Sequence, residues 1–182
     1  MSFARPTSLI SKLISEKALN TVGRALDLGS GKGADAYILA EKGFKVDSVD
    51  RDKKSLTDAP ISQSITKYNT NIEDFKIVSN TYNLVLASFS LQFLTKENAK
   101  NVIASMVNGC VKNGIIIFNL IGENDEWAVD GKWSTWSAME IKDFVATLSV
   151  TVRNFNQIEG KGDTICAGIK HWHIFELILI KV

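Results

Sequence analysis

Gly29, Gly31 and Gly33 recur at every second position after the run Ala25-Leu26-Asp27-Leu28, and a helix-like segment from Ala34 to Lys42 follows them. Glycines at such a turn let backbone N–H groups approach a ligand that a Cβ would hold off. Strand, glycine loop and helix in that order form a nucleotide cradle. A second acid, Asp50, closes the next apolar run, where a carboxylate can accept hydrogen bonds from both hydroxyls of a ribose. Asp47 and Asp52 lie close enough to compete for that role. The chemistry these residues suggest is the capture of a nucleoside-bearing ligand.

Two such ligands fit the loop. With Ala34 as its last residue it satisfies the dinucleotide pattern G-x-G-x-x-[GA], and it equally satisfies G-x-G-x-G with an acid two residues upstream. Asp27 argues against a pyrophosphate, whose charge it would repel, and for a ligand carrying an ammonium and a sulfonium. Asp50 does not separate the two, since both carry the ribose. The chain offers one nucleotide-binding half followed by a hairpin, with no second half for a nicotinamide nucleotide. S-adenosylmethionine is the expected cofactor, S-adenosylhomocysteine its product, and a nicotinamide oxidoreductase the displaced alternative. The loop residues Gly29, Ser30 and Gly31 and the acid Asp27, with Asp50 and its neighbour Arg51, are cofactor-binding candidates.

The elements that must position these residues alternate along the chain. Pro6-Thr7 precedes an apolar stripe at helical spacing, Leu9, Ile10, Leu13, Ile14 and Ala18. Phe44 to Asp50 reads as a second strand, and Lys53 to Ala59 as a short helix stopped by Pro60. Ile65 to Tyr68 and Tyr82 to Phe89 read as the third and fourth strands. Thr95 opens a helix through Asn108, with Gly109 near its end. Ile115-Ile116-Ile117-Phe118 is a fully apolar fifth strand, as expected where helices cover both faces of a parallel sheet. Ser137 and Glu140 form a capping box for a helix to about Leu148. Two further strands, the second from Ile165 to Val182, flank the turn-rich tip Glu159 to Asp163 and form a hairpin. The predicted class is α/β, a mostly parallel sheet with an antiparallel edge. Ligands of such sheets lie beyond the carboxyl ends of the strands, which adds Ser88 and Phe89 at the end of the fourth.

Leu26-Asp27-Leu28-Gly29-Ser30-Gly31-Lys32-Gly33 resembles the first motif of class I S-adenosylmethionine-dependent methyltransferases, and Asp50 their second acidic position. Asn71-Ile72-Glu73-Asp74-Phe75 resembles the segment whose first residue faces the adenine amino group. Tyr82-Asn83-Leu84-Val85-Leu86-Ala87-Ser88 and Val111-Lys112-Asn113-Gly114 resemble later motifs in the same order. The resemblance implies a Rossmann-like three-layer sandwich with a seven-stranded sheet, order 3-2-1-4-5-7-6, strand 7 antiparallel. Within the family, Ser90-Leu91-Gln92-Phe93-Leu94 and Lys170-His171-Trp172-His173-Ile174-Phe175 look most like the small tellurite-resistance-type (TehB-like) enzymes. That implies methyl transfer to a small acceptor, a thiol or a chalcogen oxyanion such as tellurite. Asn71 departs from the usual Asp, but its amide oxygen can still accept from the adenine N6–H; Ile72 would press on the adenine. Asn83 departs from a common Asp at a position that is often structural.

His171 and His173 are the only histidines and therefore the catalytic candidates. They share one face of the last strand, with Trp172 on the other, at the end nearest the ligand edge. Trp127, Trp133 and Trp136 follow the fifth strand as a candidate lid, and Asp125 and Glu126 as acids beside it. A methyltransferase-fold protein that binds the cofactor without turnover remains the second reading.

Composition bounds the rest. The chain has 182 residues, 45% of them apolar and 23% charged, with a net charge of +1. It suits one domain, residues 1–182, and no clustered positive field for a nucleic acid. No apolar run is long enough to span a bilayer. Met1 to Pro6 lacks a basic stretch followed by an apolar one, and Cys110 and Cys166 stand apart without metal-ligand spacing. A cytoplasmic protein with no bound metal, monomeric or homodimeric, is expected.

Overall fold

The computed structural model describes residues 8–15, 19, 22–163 and 168–182. The expectations that fall on Met1 to Thr7, Ala18, Ile165 and Cys166 lie outside them.

Five strands carry the apolar runs that the sequence displays: β1 (Arg24–Leu28), β2 (Lys45–Asp50), β3 (Ile65–Asn69), β4 (Tyr82–Ala87) and β5 (Cys110–Gly122). A two-residue strand, β6 (Thr135–Trp136), follows, then β7 (Val150–Asp163) and β8 (Ile169–Lys181). They form one sheet in the order β3-β2-β1-β4-β5-β8-β7, with β6 beside β5 at Ile121 and Gly122. β1, β2, β3, β4 and β5 run parallel, and β8 is antiparallel to both β5 and β7. This is the expected order with one short strand added.

Helices cover both faces because successive strand residues point to opposite sides. Ala25 of β1 and Ile115 and Ile117 of β5 pack with α1 (Ser8–Ser15) and α2 (Ala34–Glu41) through Leu9, Leu13, Ala36 and Leu39. The alternate residues Leu26, Leu28, Ile116 and Phe118 pack with α4 (Lys96–Gly109) and α5 (Ala138–Ala146) through Val102, Ile103, Met106 and Ile141. The short α3 (Lys53–Asp58) follows β2. A strand buried on both faces must be apolar at every position, which explains the unbroken Ile115 to Phe118. No described helix is long and apolar enough to cross a membrane.

Local chemistry sets the helix ends. Ser137 accepts from the Glu140 N–H while Glu140 accepts from the Ser137 N–H, the full capping box. Thr95 and Asp52 cap α4 and α3 through the N–H groups of Asn98 and Lys54. Pro60 stands just past α3, and Gly43 turns the chain after α2 at φ +94°. The fourth strand stops at Ala87 rather than Phe89, because Phe89 adopts φ +48° and leaves the extended region. Beyond the last β5–β8 pair, Ile121 with Ile174, β7 and β8 stay paired from Glu159/His173 to Asp163/Ile169. That arm projects past the end of β5 at the carboxyl edge of the parallel strands.

Candidate active site

The glycine loop is pinned to β2 by its backbone: the N–H groups of Gly29 and Ser30 both donate to the Val49 carbonyl, at 2.8 and 3.0 Å. Gly31 N–H donates to Asp50 Oδ2 at 2.7 Å, and Asp52 N–H to Asp50 Oδ1 at 2.7 Å. An ionised carboxylate has about four lone-pair sites, so Asp50 still has two to offer. Asp47 is not its rival, being buried and bonded to Arg24 (2.6 Å) and Tyr82 (2.8 Å). Asp52 is spent as the α3 cap. Gly29 has φ +75°, and a Cβ there would stand 2.3 Å from the Ser90 Cβ. Ser90 is itself anchored by its hydroxyl, which donates to the Leu28 carbonyl at 2.9 Å.

A cavity of about 140 Å³ opens beside this loop. Of the expected cofactor residues, Gly29, Asp50, Arg51, Asn71, Ile72 and Phe89 line it. Asp27, Ser30, Gly31 and Ser88 do not. Ser30 accepts a hydrogen bond from the Ser48 hydroxyl, and Gly31 holds Asp50. Asn71 donates its amide N–H to Asp74 at 2.8 Å, and its amide oxygen has no hydrogen bond among the described residues. Glu73, Ser90, Phe93 and Leu94 complete the wall, none of them expected there from the sequence.

Asp27 lies beneath the loop, 2% exposed. Burial holds its carboxyl well above the usual carboxylate range, the charge of Asp35 adds to that, and a hydrogen bond from the Ala36 N–H opposes it. Ala36 is in the first turn of α2, whose N-cap, Gly33, has no side chain to offer. A strand acid therefore caps the helix across the turn, while its Oδ2 has no partner among the described residues.

Phe89 is held in a left-handed backbone conformation by two buried amides. Its N–H donates to Asn119 Oδ1 at 2.6 Å, and its carbonyl accepts from Gln92 Nε2 at 2.7 Å. A bulky residue with φ +48° is costly, and such strain concentrates at functional sites.

Neither histidine lines the cavity. His173 is 5% exposed, accepts the Asn124 N–H on Nδ1 at 3.1 Å and faces Gln157 with Nε2 at 3.0 Å. Its ring packs on Phe175 and fills the space over Gly122, where a Cβ would fall 2.2 Å from Nδ1. His171 faces Glu159 at 3.1 Å. The opposite face of β8 meets the cavity wall instead, for Trp172 packs edge-on to Phe89 with ring centres 5.8 Å apart. Asp125, read as a loop acid beside the lid, is buried in an ion pair with Lys170, because it also accepts the N–H groups of Trp127 and His173. Of the three expected lid tryptophans, Trp136 is a core residue, 0% exposed. Cys110 is buried in the core, its thiol pushed up to about 12 by burial.

The family described as tellurite resistance protein TehB matches residues 5–157. The chain belongs to the TehB family. A comparison with curated proteins finds no match. TehB from Haemophilus influenzae superposes with a TM-score of 0.78 at 16% identity, over 94% of this chain and 62% of that one. This chain thus spans less than two thirds of that protein's length. A putative S-adenosylmethionine-dependent methyltransferase from Listeria monocytogenes superposes at 0.72 with 17% identity, covering 97% of this chain and all of that one (100%). Magnesium protoporphyrin IX methyltransferase from Synechocystis, solved with bound S-adenosylmethionine, superposes at 0.69 with 14% identity over 96% and 77%. The Rossmann-like methyltransferase fold is thereby shown for this TehB-family chain, with the glycine loop and its cavity at the carboxyl edge of the sheet.

Proposed function

We propose that this TehB-family chain is an S-adenosylmethionine-dependent methyltransferase acting on a small-molecule acceptor, a thiol or a chalcogen oxyanion such as tellurite. The cavity carries the reading: it offers Asp50 to the ribose hydroxyls and the amide oxygen of Asn71 to the adenine N6–H. Ile72 would close against the base, Arg51 would stand by the ribose, and Gly29 and Phe89 would border the methionine portion, with Ser88 joining Phe89 to the end of β4 from outside the lining. These groups fit the cofactor, since the open lone pairs are acceptors matched to hydroxyl and amino donors. Ser30 and Gly31 act by shaping the loop, and Asp27 by capping α2 beneath it.

When bound, the cofactor supplies an electrophilic methyl. The protein's part is to align the acceptor with it, because positioning supplies much of the rate of a displacement. The histidines, assigned to catalysis from sequence, are better read as positioning residues of the hairpin arm. One domain, a cytoplasmic location and a monomer or homodimer complete this reading.

Calorimetry with S-adenosylmethionine, S-adenosylhomocysteine and NAD tests it. The first two should bind and NAD should not, and the Asp50→Ala variant should lose at least about tenfold in affinity, the cost of one or more hydrogen bonds to a charged group. Binding of NAD alone, or an unchanged Asp50→Ala variant, would remove the reading. The second reading, a binding protein without turnover, is favoured by the commitment of both histidines to structural partners. Formation of S-adenosylhomocysteine with any acceptor would exclude it.

A further inference from the structure

Past its last pair with β5, Ile121 with Ile174, β8 has no strand on that side among the described residues. The chain that follows β5 takes the place of one. The His173 N–H donates to Asp125 Oδ2 and the His171 N–H to Glu126 Oε2, each at 2.9 Å. The Asn124 N–H donates to His173 Nδ1 at 3.1 Å. The hairpin arm is thus docked through side chains and not through a ladder.

At the centre of this contact an ammonium is buried. Lys170 is 4% exposed and Asp125 1%, and the two form an ion pair. The Lys170 Nζ lies 4.1 Å from the Trp127 ring centre and 3.8 Å from that of Trp172. Trp127 is backed by Trp133, stacked at 5.3 Å, and its backbone N–H donates to Asp125 at 3.0 Å. Two ring faces and one carboxylate hold the charge in place of water. Taking an ammonium and a carboxylate out of water is costly, and uncharged groups of the same bulk often serve stability equally well. What the charged pair adds is a single geometry, because either partner alone would be left uncompensated.

That geometry reaches the cofactor cavity. Lys170 and Trp172 share one face of β8, and the Trp172 ring meets Phe89 edge-on at 5.8 Å. Phe89 lines the cavity on a backbone already fixed by Asn119 and Gln92. Lys170 itself is not part of the lining. We propose that Lys170 is a positioning residue for methyl transfer, which wedges Trp172 against Phe89 and so fixes the wall beside the methionine portion of S-adenosylmethionine; this rests on the cofactor reading above. Lys170 acts through two rings and touches neither the cofactor nor the acceptor.

The double variant Lys170→Met/Asp125→Asn removes both charges at nearly constant bulk, so neither is left alone in the interior. Calorimetry with two ligands tests the role. S-adenosylhomocysteine carries the amino-acid portion, whereas 5′-methylthioadenosine carries the adenine, ribose and sulfur without it. S-adenosylhomocysteine should bind the double variant about fivefold or more weakly than the wild type, within the range of couplings carried through packed side chains. 5′-Methylthioadenosine should bind both proteins alike, which also certifies that the variant is folded. Trp172→Leu should reproduce this pattern, since the route passes through that ring. Lys170→Arg, whose guanidinium stacks on rings and pairs with carboxylates, should keep most of the wild-type affinity. Unchanged S-adenosylhomocysteine affinity in the double variant, an equal loss for both ligands, or an arginine variant as weak as the double variant would overturn the proposal. A wild-type protein that binds neither ligand removes the cofactor reading beneath it instead.

Discussion

At the scale of single residues, burial sets the charge preference of Asp27. An exposed acid at this position would attract a cationic ligand, but desolvation favours the neutral carboxyl, and Asp35 beside it pushes the same way. The folded chain therefore keeps a proton that the unfolded chain releases from about pH 4 upward. Stability conferred by the protonated form is full below the unfolded value and is lost as pH rises toward the elevated folded value. Urea unfolding across that window should show declining stability, and Asp27→Asn should flatten the decline. Phe89 gives a second prediction. Asn119→Ala strips the acceptor from its N–H and should cost about 1–3 kcal/mol, the penalty of an unpaired buried donor. Cofactor affinity should fall with it if the strained backbone shapes the methionine end, which calorimetry on the same variant would read.

At the scale of elements, the hairpin arm shows what pattern alone leaves open. Periodicity marks β8 and the alternation of His171, Trp172 and His173, and chemical reactivity singles out the histidines. Which face meets the cavity depends on register against β5 and on a gap at Gly122, and neither is local to the strand. The His173 ring occupies that gap, so its face turns toward Phe175 and the other face brings Trp172 to Phe89. Gly122→Ala should push the ring out and destabilise the protein by about 1–3 kcal/mol, as overpacking does. Chemical unfolding measures the loss, and tryptophan fluorescence should report the shift of Trp172. By contrast the ends of α3, α4 and α5 were legible, because a cap is made by residues a few positions apart: Asp52, Thr95 and the Ser137–Glu140 pair. The strand order was legible only through the resemblance to class I methyltransferases, whereas the positions of Gly29, Asp50 and Asn71 at strand ends and loops follow from short motifs. The burial of Asp125 was not legible, because its partner Lys170 is far away in sequence.

For the whole molecule, ligand and fold are linked by mass action. A cofactor that binds only the folded chain should stabilise it by about 2.7 kcal/mol at a concentration one hundred times its dissociation constant. Thermal unfolding with and without S-adenosylhomocysteine should show a matching rise in Tm, and a Tm indifferent to it would contradict the cavity assignment. The place of β8 in the sheet bears on folding order. It lies between β5 and β7 and pairs with both, so neither strand has its full set of neighbours until β8 arrives. During synthesis β5 must wait with one edge bare and apolar, a segment ready to pair with any extended chain it meets. The time between the emergence of β5 and that of β8 is thus the interval in which this protein is most exposed to misassembly, and folding helpers that shield bare strands should matter most then.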